Sequence, residues 1–199
     1  MRHIMLAAAL CVTAATSAHA DPYGKIFGGA TFPSDQDITA DFPSIGSGAG
    51  EIDTKAGYLV GGALGADLSK FFAIEGEVAY RSKGVNGIIV EDFGLPIDGN
   101  INALSFMGNA IVKSPFENGF TPYIGAGAGG ARVGGPGDHD LVFAWQGIGG
   151  VSKNLSQRIS AGVEYRYLDA ATSTFSDGVD TLEMEYDSHS INLVLMRKF

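Results

Sequence analysis

Eight stretches of the 199-residue chain carry short apolar runs at roughly a two-residue period, and the connections between them alternate in length. The stretches are residues 23–32, 57–66, 71–81, 101–113, 121–132, 141–152, 158–168 and 187–199. A period of two turns successive side chains to opposite faces of a strand, so each stretch has one oily and one wet face. Each has about the 9–11 residues that a tilted strand needs to cross a bilayer. Residues 67–70, 114–120 and 153–157 form short connections, whereas 33–56, 82–100, 133–140 and 169–186 are mostly long. Strict alternation gathers the short turns at one end of the sheet and the long connections at the other, the asymmetry of a membrane-spanning barrel.

The charged positions set the faces. In 158–168, Val163, Tyr165 and Tyr167 alternate with Glu164 and Arg166. An arginine facing lipid at the bilayer centre costs about 2–4 kcal/mol, so the charged parity must point inward. In 71–81 the same reasoning turns Glu75, Glu77 and Arg81 inward, with Phe72, Ile74, Val78 and Tyr80 toward lipid. Lys25 points inward, with Ile26, Ala30 and Phe32 outward. The glycine-rich stretches define their phase poorly; Gln146 is placed inward and Trp145 outward.

Hydrocarbon offers no partner to a free N–H or C=O, so a spanning sheet must close on itself. Eight strands give a barrel whose interior is just filled by side chains. The closing contact is then 187–199 against 23–32. The tail alternates Ile191, Leu193 and Leu195 with Ser190 and Asn192 and ends on Phe199, with Arg197 on the lipid-facing parity at the membrane boundary.

Residues 1–20 read as a secretory signal peptide, with Arg2 and His3, the apolar run 4–12, and a small-x-small site at Ala18-His19-Ala20. The domain is thus 21–199. The single cysteine, Cys11, lies in the leader, which leaves no disulfide framework and no thiolate metal site. No stretch of 18 consecutive apolar residues follows, so no transmembrane helix is expected. The chain carries 22 acidic residues against 13 basic ones, an argument against a nucleic-acid partner.

The run FAWQGIGGVSKNLSQRISAGVEYRYLD, residues 143–169, resembles a hairpin of the opacity-protein-like outer-membrane β-barrel family. Its marks are an aromatic-Gln-x-Gly strand, an Asn-Leu-Ser turn and a Glu-Tyr-Arg-Tyr strand ending in Asp. PYIGAGAGGAR, 122–132, is similar to the preceding strand, and the terminal Phe199 also matches. The resemblance implies a small eight-stranded barrel in a Gram-negative outer membrane, with Phe199 as an assembly signal read by the barrel-assembly machinery. Family members often place a second aromatic two positions before the last; here Arg197 stands there.

Motifs that suggest chemistry have simpler readings. GAGAGG, 125–130, matches G-x-G-x-x-G, but no strand-to-helix unit surrounds it. His189 and Ser190 are adjacent in a strand, so their side chains point to opposite faces and do not easily meet as base and nucleophile. Asp35, Asp37 and Asp41 lack the turn glycine of a calcium loop, and His139 reads as a solvated loop residue. No catalytic residue, cofactor or metal is expected.

The expectation is therefore an all-β, eight-stranded antiparallel transmembrane β-barrel with long extracellular loops and short periplasmic turns. A lumen polar network of Glu75, Glu77, Arg81, Glu164 and Arg166 would close it. The role would be structural and surface-presenting: envelope integrity, surface contact or adhesion through loops 33–56 and 169–186, which hold Phe42, Ile45, Phe175 and Met184. Partners would be outer-membrane lipids and lipopolysaccharide, the assembly machinery and periplasmic chaperones, and an external or host ligand. Most acidic residues fall in the long connections, against Lys55 and Lys83, while Lys70 and Lys153 lie in the short ones. The rival readings are a small-solute channel and a lipid-modifying enzyme.

Overall fold

The computed structural model describes residues 20–32, 36–42, 46–54, 56–90, 93–95, 99–135, 138–176 and 181–199. Residues 1–19 lie outside them, as do Asp35, Ile45 and the side chains of Asp37, Asp41, Phe42, His139, Phe175 and Met184. Eleven strands follow in order: β1 (Asp21–Thr31), β2 (Gln36–Phe42), β3 (Gly46–Thr54), β4 (Gly57–Asp67), β5 (Phe72–Val90), β6 (Phe93–Leu95), β7 (Gly99–Lys113), β8 (Phe120–Gly135), β9 (Asp138–Asn154), β10 (Ile159–Ser176) and β11 (Thr181–Lys198).

Eight of them make a closed antiparallel ring in the order β1, β4, β5, β7, β8, β9, β10, β11 and back to β1. The closing ladder runs unbroken from Tyr23 opposite Lys198 to Thr31 opposite Ser190. No edge of the ring is left for lipid to cover, which is the condition for crossing a bilayer with strands. Outward positions such as Ile26, Leu64, Ile124 and Leu193 are exposed, Leu193 at 72%. An apolar belt of this extent suits lipid and no other solvent.

Two of the short turns share one construction. In Leu68-Ser69 and Leu155-Ser156 both backbone N–H groups of the pair donate to the carbonyl of the residue that opens the next strand, Phe72 or Ile159. The serine hydroxyl accepts the N–H of that same residue at 3.1 Å in each case. The Leu-Ser sequence thus satisfies the strand ends locally, as serine commonly does in turns. The third turn contains Gly119 at φ 83°, a left-handed position that suits glycine.

The strands depart from the sequence reading at their outer ends. β5 has 19 residues and β10 and β11 have 18, against 11 in β1 and β4. Much of 82–100, 133–140 and 169–186 is therefore ladder, not loop. Hydrogen bonding between neighbouring strands does not depend on lipid, so pairing continues past the hydrocarbon, where the apolar alternation that marked the strands ends. Where β1 and β4 stop, the β2–β3 hairpin continues the wall. β2 pairs with β11 over Ile38–Asp41, and β3 pairs with β5 over Glu51–Thr54. β6 adds to the other side of β5.

Candidate functional site

The interior is stacked in layers along the barrel axis. Nearest the short turns lie Tyr23, Ala73, Ile111, Tyr123 and Ile148. Toward the other end, Ala103, Met107, Ala131, Val133, Ala144, Leu168, Ala170 and Tyr186 pack into a second apolar layer. Between them sits a charged plug to which every barrel strand but β4 and β11 contributes a polar side chain.

Arg166 is its centre. Its Nη1 donates to Glu77 Oε1 at 2.5 Å, and its Nε donates to Glu164 Oε1. Its guanidinium also lies 3.9 Å from the centroid of the Phe27 ring, a cation–π contact in a site shielded from water. Glu77 accepts from Asn109 Nδ2 at 2.9 Å and from Gln146 Nε2 at 3.2 Å, so both its oxygens are engaged. Lys25 Nζ bridges two other carboxylates, Glu75 at 2.5 Å and Glu164 at 3.5 Å.

Two tyrosines complete the plug from the short-turn side. Tyr23 donates its hydroxyl to Glu75 Oε1 at 2.7 Å, and Tyr123 donates to Glu164 Oε2 at 2.9 Å. Each ring lies across a glycine of a neighbouring strand. A Cβ on Gly65 would fall 2.5 Å from Tyr23 Cζ, and one on Gly150 would fall 2.6 Å from Tyr123 Cζ. Those glycines leave the floor on which the tyrosines reach the carboxylates. Glu164 and Arg166 have no solvent exposure at all. A buried charge is tolerated only when paired and hydrogen-bonded, and this cluster meets that condition through mixed signs on neighbouring rungs.

The structure brings Glu75, Glu77, Glu164 and Arg166 together. Arg81 is buried but stands one step further out, donating to Ser105 Oγ at 2.8 Å and to Gln146 Oε1 at 3.5 Å, with no salt bridge to a carboxylate among the described residues. Lys25, Tyr23, Tyr123, Asn109 and Gln146 are plug members that the list of charged inward residues missed. Lys25 and Gln146 had the correct phase. Tyr123 stands in a glycine-rich strand whose one charge, Arg132, is exposed near the outer end and so does not mark the inward parity.

Ser190 points inward, accepting from Asn192 Nδ2 at 3.1 Å. His189 points outward, its Nδ1 2.6 Å from the Tyr165 hydroxyl and its ring 4.8 Å from that of Tyr167. Histidine and serine thus lie on opposite sides of the wall. Phe199 sits at the short-turn rim, 70% exposed, with its N–H donating to Pro22 O at 3.1 Å.

The sequence profile of the family described as outer membrane protein beta-barrel domain matches residues 4–199. The chain belongs to that family. Two solved barrels show how far the likeness extends. The crystal structure of the outer membrane protein OprG from Pseudomonas aeruginosa superposes with a TM-score of 0.71 at 14% identity, over 91% of this chain and 97% of that one. The crystal structure of Neisserial surface protein A gives 0.55 at 16% identity, over 91% and 99%. At these identities the likeness is one of fold. A comparison with curated protein sequences finds no match. As an outer-membrane β-barrel, this protein resides in the outer membrane of a Gram-negative bacterium, with its apolar belt in lipid.

Proposed function

We propose that this outer-membrane barrel is a structural, surface-presenting protein whose lumen passes no solute. The observation that carries the reading is the plug: Glu77, Arg166, Glu164, Lys25 and Glu75 joined in one bonded cluster between two apolar layers. An ion crossing it would have to separate pairs held at 2.5 Å between buried side chains. The outer connections then carry the function, as a contact surface for lipopolysaccharide or an external molecule. Their acidic balance calls for divalent cations or a basic partner. Export would use the leader 1–20, with cleavage after Ala20, and insertion would use Phe199 as the assembly signal.

The test is conductance of the refolded protein in planar bilayers. Wild type should show no unitary steps, and Arg166→Ala, which empties the centre of the plug, should be the variant in which steps appear. Regular steps in wild type that change on neutralising Glu77 or Glu164 would replace this reading with that of a small-solute channel.

A further inference from the structure

Below the plug, on the periplasmic side, the lumen widens into a cavity of 210 Å³. That is well above the space one water requires. Four lysines line it, Lys25, Lys70, Lys113 and Lys198, against two carboxylates, Asp67 and Glu75. Asp21 and Glu117 lie outside the lining.

Both carboxylates are already in use. Asp67 is held on Oδ1 by Lys113 and on Oδ2 by Lys198 at 3.0 Å, so two ammonium groups share one negative charge. Glu75 accepts from Lys25 on one oxygen and from the Tyr23 hydroxyl on the other. Glu164, the next carboxylate inward, is capped by Tyr123 in the same manner. Glu75 and Glu164 therefore each already hold a tyrosine hydroxyl donor. Lys70 has its Nζ 4.7 Å from the centroid of the Phe71 ring and makes no ion pair among the described residues. The walls add hydrogen-bonding groups, including Thr121, Ser152 and the Ser160–Asn154 pair, bonded at 2.9 Å.

We propose that this cavity is an anion site that takes a phosphate group from the periplasmic side. Two lining positive charges remain after the carboxylates are counted, and a phosphate monoester carries about −1.5 to −2 near neutral pH. Lysine suits such a ligand as a point charge that does not demand the planar geometry of a guanidinium. The site stands whether or not solute passes the plug above it. The phosphate could arrive on a soluble ester or on a lipid headgroup, and the chemistry of recognition is the same for both.

The full chain, refolded in a phosphate-free maltoside detergent, is titrated with inorganic phosphate by calorimetry. Heat-modifiable gel migration checks that each variant is folded. Wild type should bind saturably. Lys70→Gln and Lys198→Gln should each bind at least fivefold more weakly, while Lys153→Gln should bind as wild type, because Lys153 lies over the Phe120 ring and outside the cavity. In nanodiscs, competition by added phosphatidic acid assigns the occupant to lipid, and undiminished binding assigns it to a soluble ester. No saturable binding by wild type, or equal binding by Lys70→Gln and Lys198→Gln, would overturn the site.

Discussion

Arg166 on β10 reaches Glu77 on β5 at 2.5 Å, two residues 89 positions apart in sequence. Each stands on a strand that is not a neighbour of the other in the ring. The contact therefore crosses the lumen and ties opposite walls together. Because the same guanidinium also holds Glu164, one side chain neutralises carboxylates from two strands. Such a bond adds what ladder hydrogen bonds cannot, a constraint on the shape of the barrel's cross-section.

Removing Arg166 should consequently cost far more than removing a surface charge. Arg166→Met leaves Glu77 and Glu164 buried without their shared cation, and breaking a buried pair in this way costs about 3–5 kcal/mol. Urea unfolding in phospholipid vesicles measures it. The double variant Glu77→Gln/Arg166→Met should lose less than the two single variants combined, by about 0.5–3 kcal/mol. Strict additivity would mean that the two side chains do not depend on each other.

The glycines of β9 offer a test of the interior packing in which strand and chemistry are held constant. A Cβ at Gly150 would meet Tyr123 Cζ at 2.6 Å and the backbone oxygen of Val163 at 2.9 Å, so neither obstacle is a freely moving chain end. At Gly147, on the outward face, a Cβ would meet nothing within 4 Å. Gly150→Ala should destabilise by about 1–3 kcal/mol through overpacking. Gly147→Ala should stay within about 0.5 kcal/mol of wild type. Thermal midpoints of the heat-modifiable gel shift rank the pair, and equal midpoints would show that the tyrosine does not lie against Gly150.

These residues also show where the sequence was readable. Glu164 and Arg166 disclosed their face because a charge in lipid is expensive, and they drew the whole phase of β10 with them. The same logic oriented Lys25 and the charged half of β5. It had no grip on β8, where alternating glycine and alanine look alike from either side, and so Tyr123 was missed. Outer strand lengths were hidden for a related reason. Beyond the hydrocarbon both faces of a strand can be polar, and 169–176 pairs with β11 without the apolar alternation that marked 158–168. Which carboxylate meets which cation depends on the stagger between strands, and no local pattern records that.

Trp145 is the only tryptophan in the chain, which makes it a clean reporter of depth. It is outward-facing and packs edge-on against Tyr167 with ring centroids 5.4 Å apart. Its row on the wall contains Asp169 and its column neighbour Asp187, carboxylates that would be costly deep in hydrocarbon. The aromatic pair should therefore sit at the outer interface, where amphipathic rings collect. In vesicles of brominated lipids, bromine near the headgroup should quench Trp145 more strongly than bromine near the chain end. The reverse order would move the membrane boundary outward along the barrel.

Phe199 separates a role in assembly from a role in stability. Its side chain is 70% exposed at the rim and lies near Gly24, whose added Cβ would be 3.4 Å from the ring. Deleting the residue removes one backbone hydrogen bond, to Pro22, and leaves the Tyr23–Lys198 pairing and every strand above it in place. The truncated chain, refolded into vesicles in vitro, should therefore match wild-type stability to within about 1 kcal/mol. Under the assembly role proposed above for Phe199, the truncated chain's folded yield in the outer membrane of cells should fall several-fold, since Arg197 two positions earlier is not aromatic. Membrane fractionation with heat-modifiable migration reads the yield. Normal yield in cells would remove the assembly role, and a large loss of stability in vitro would turn it into a packing role.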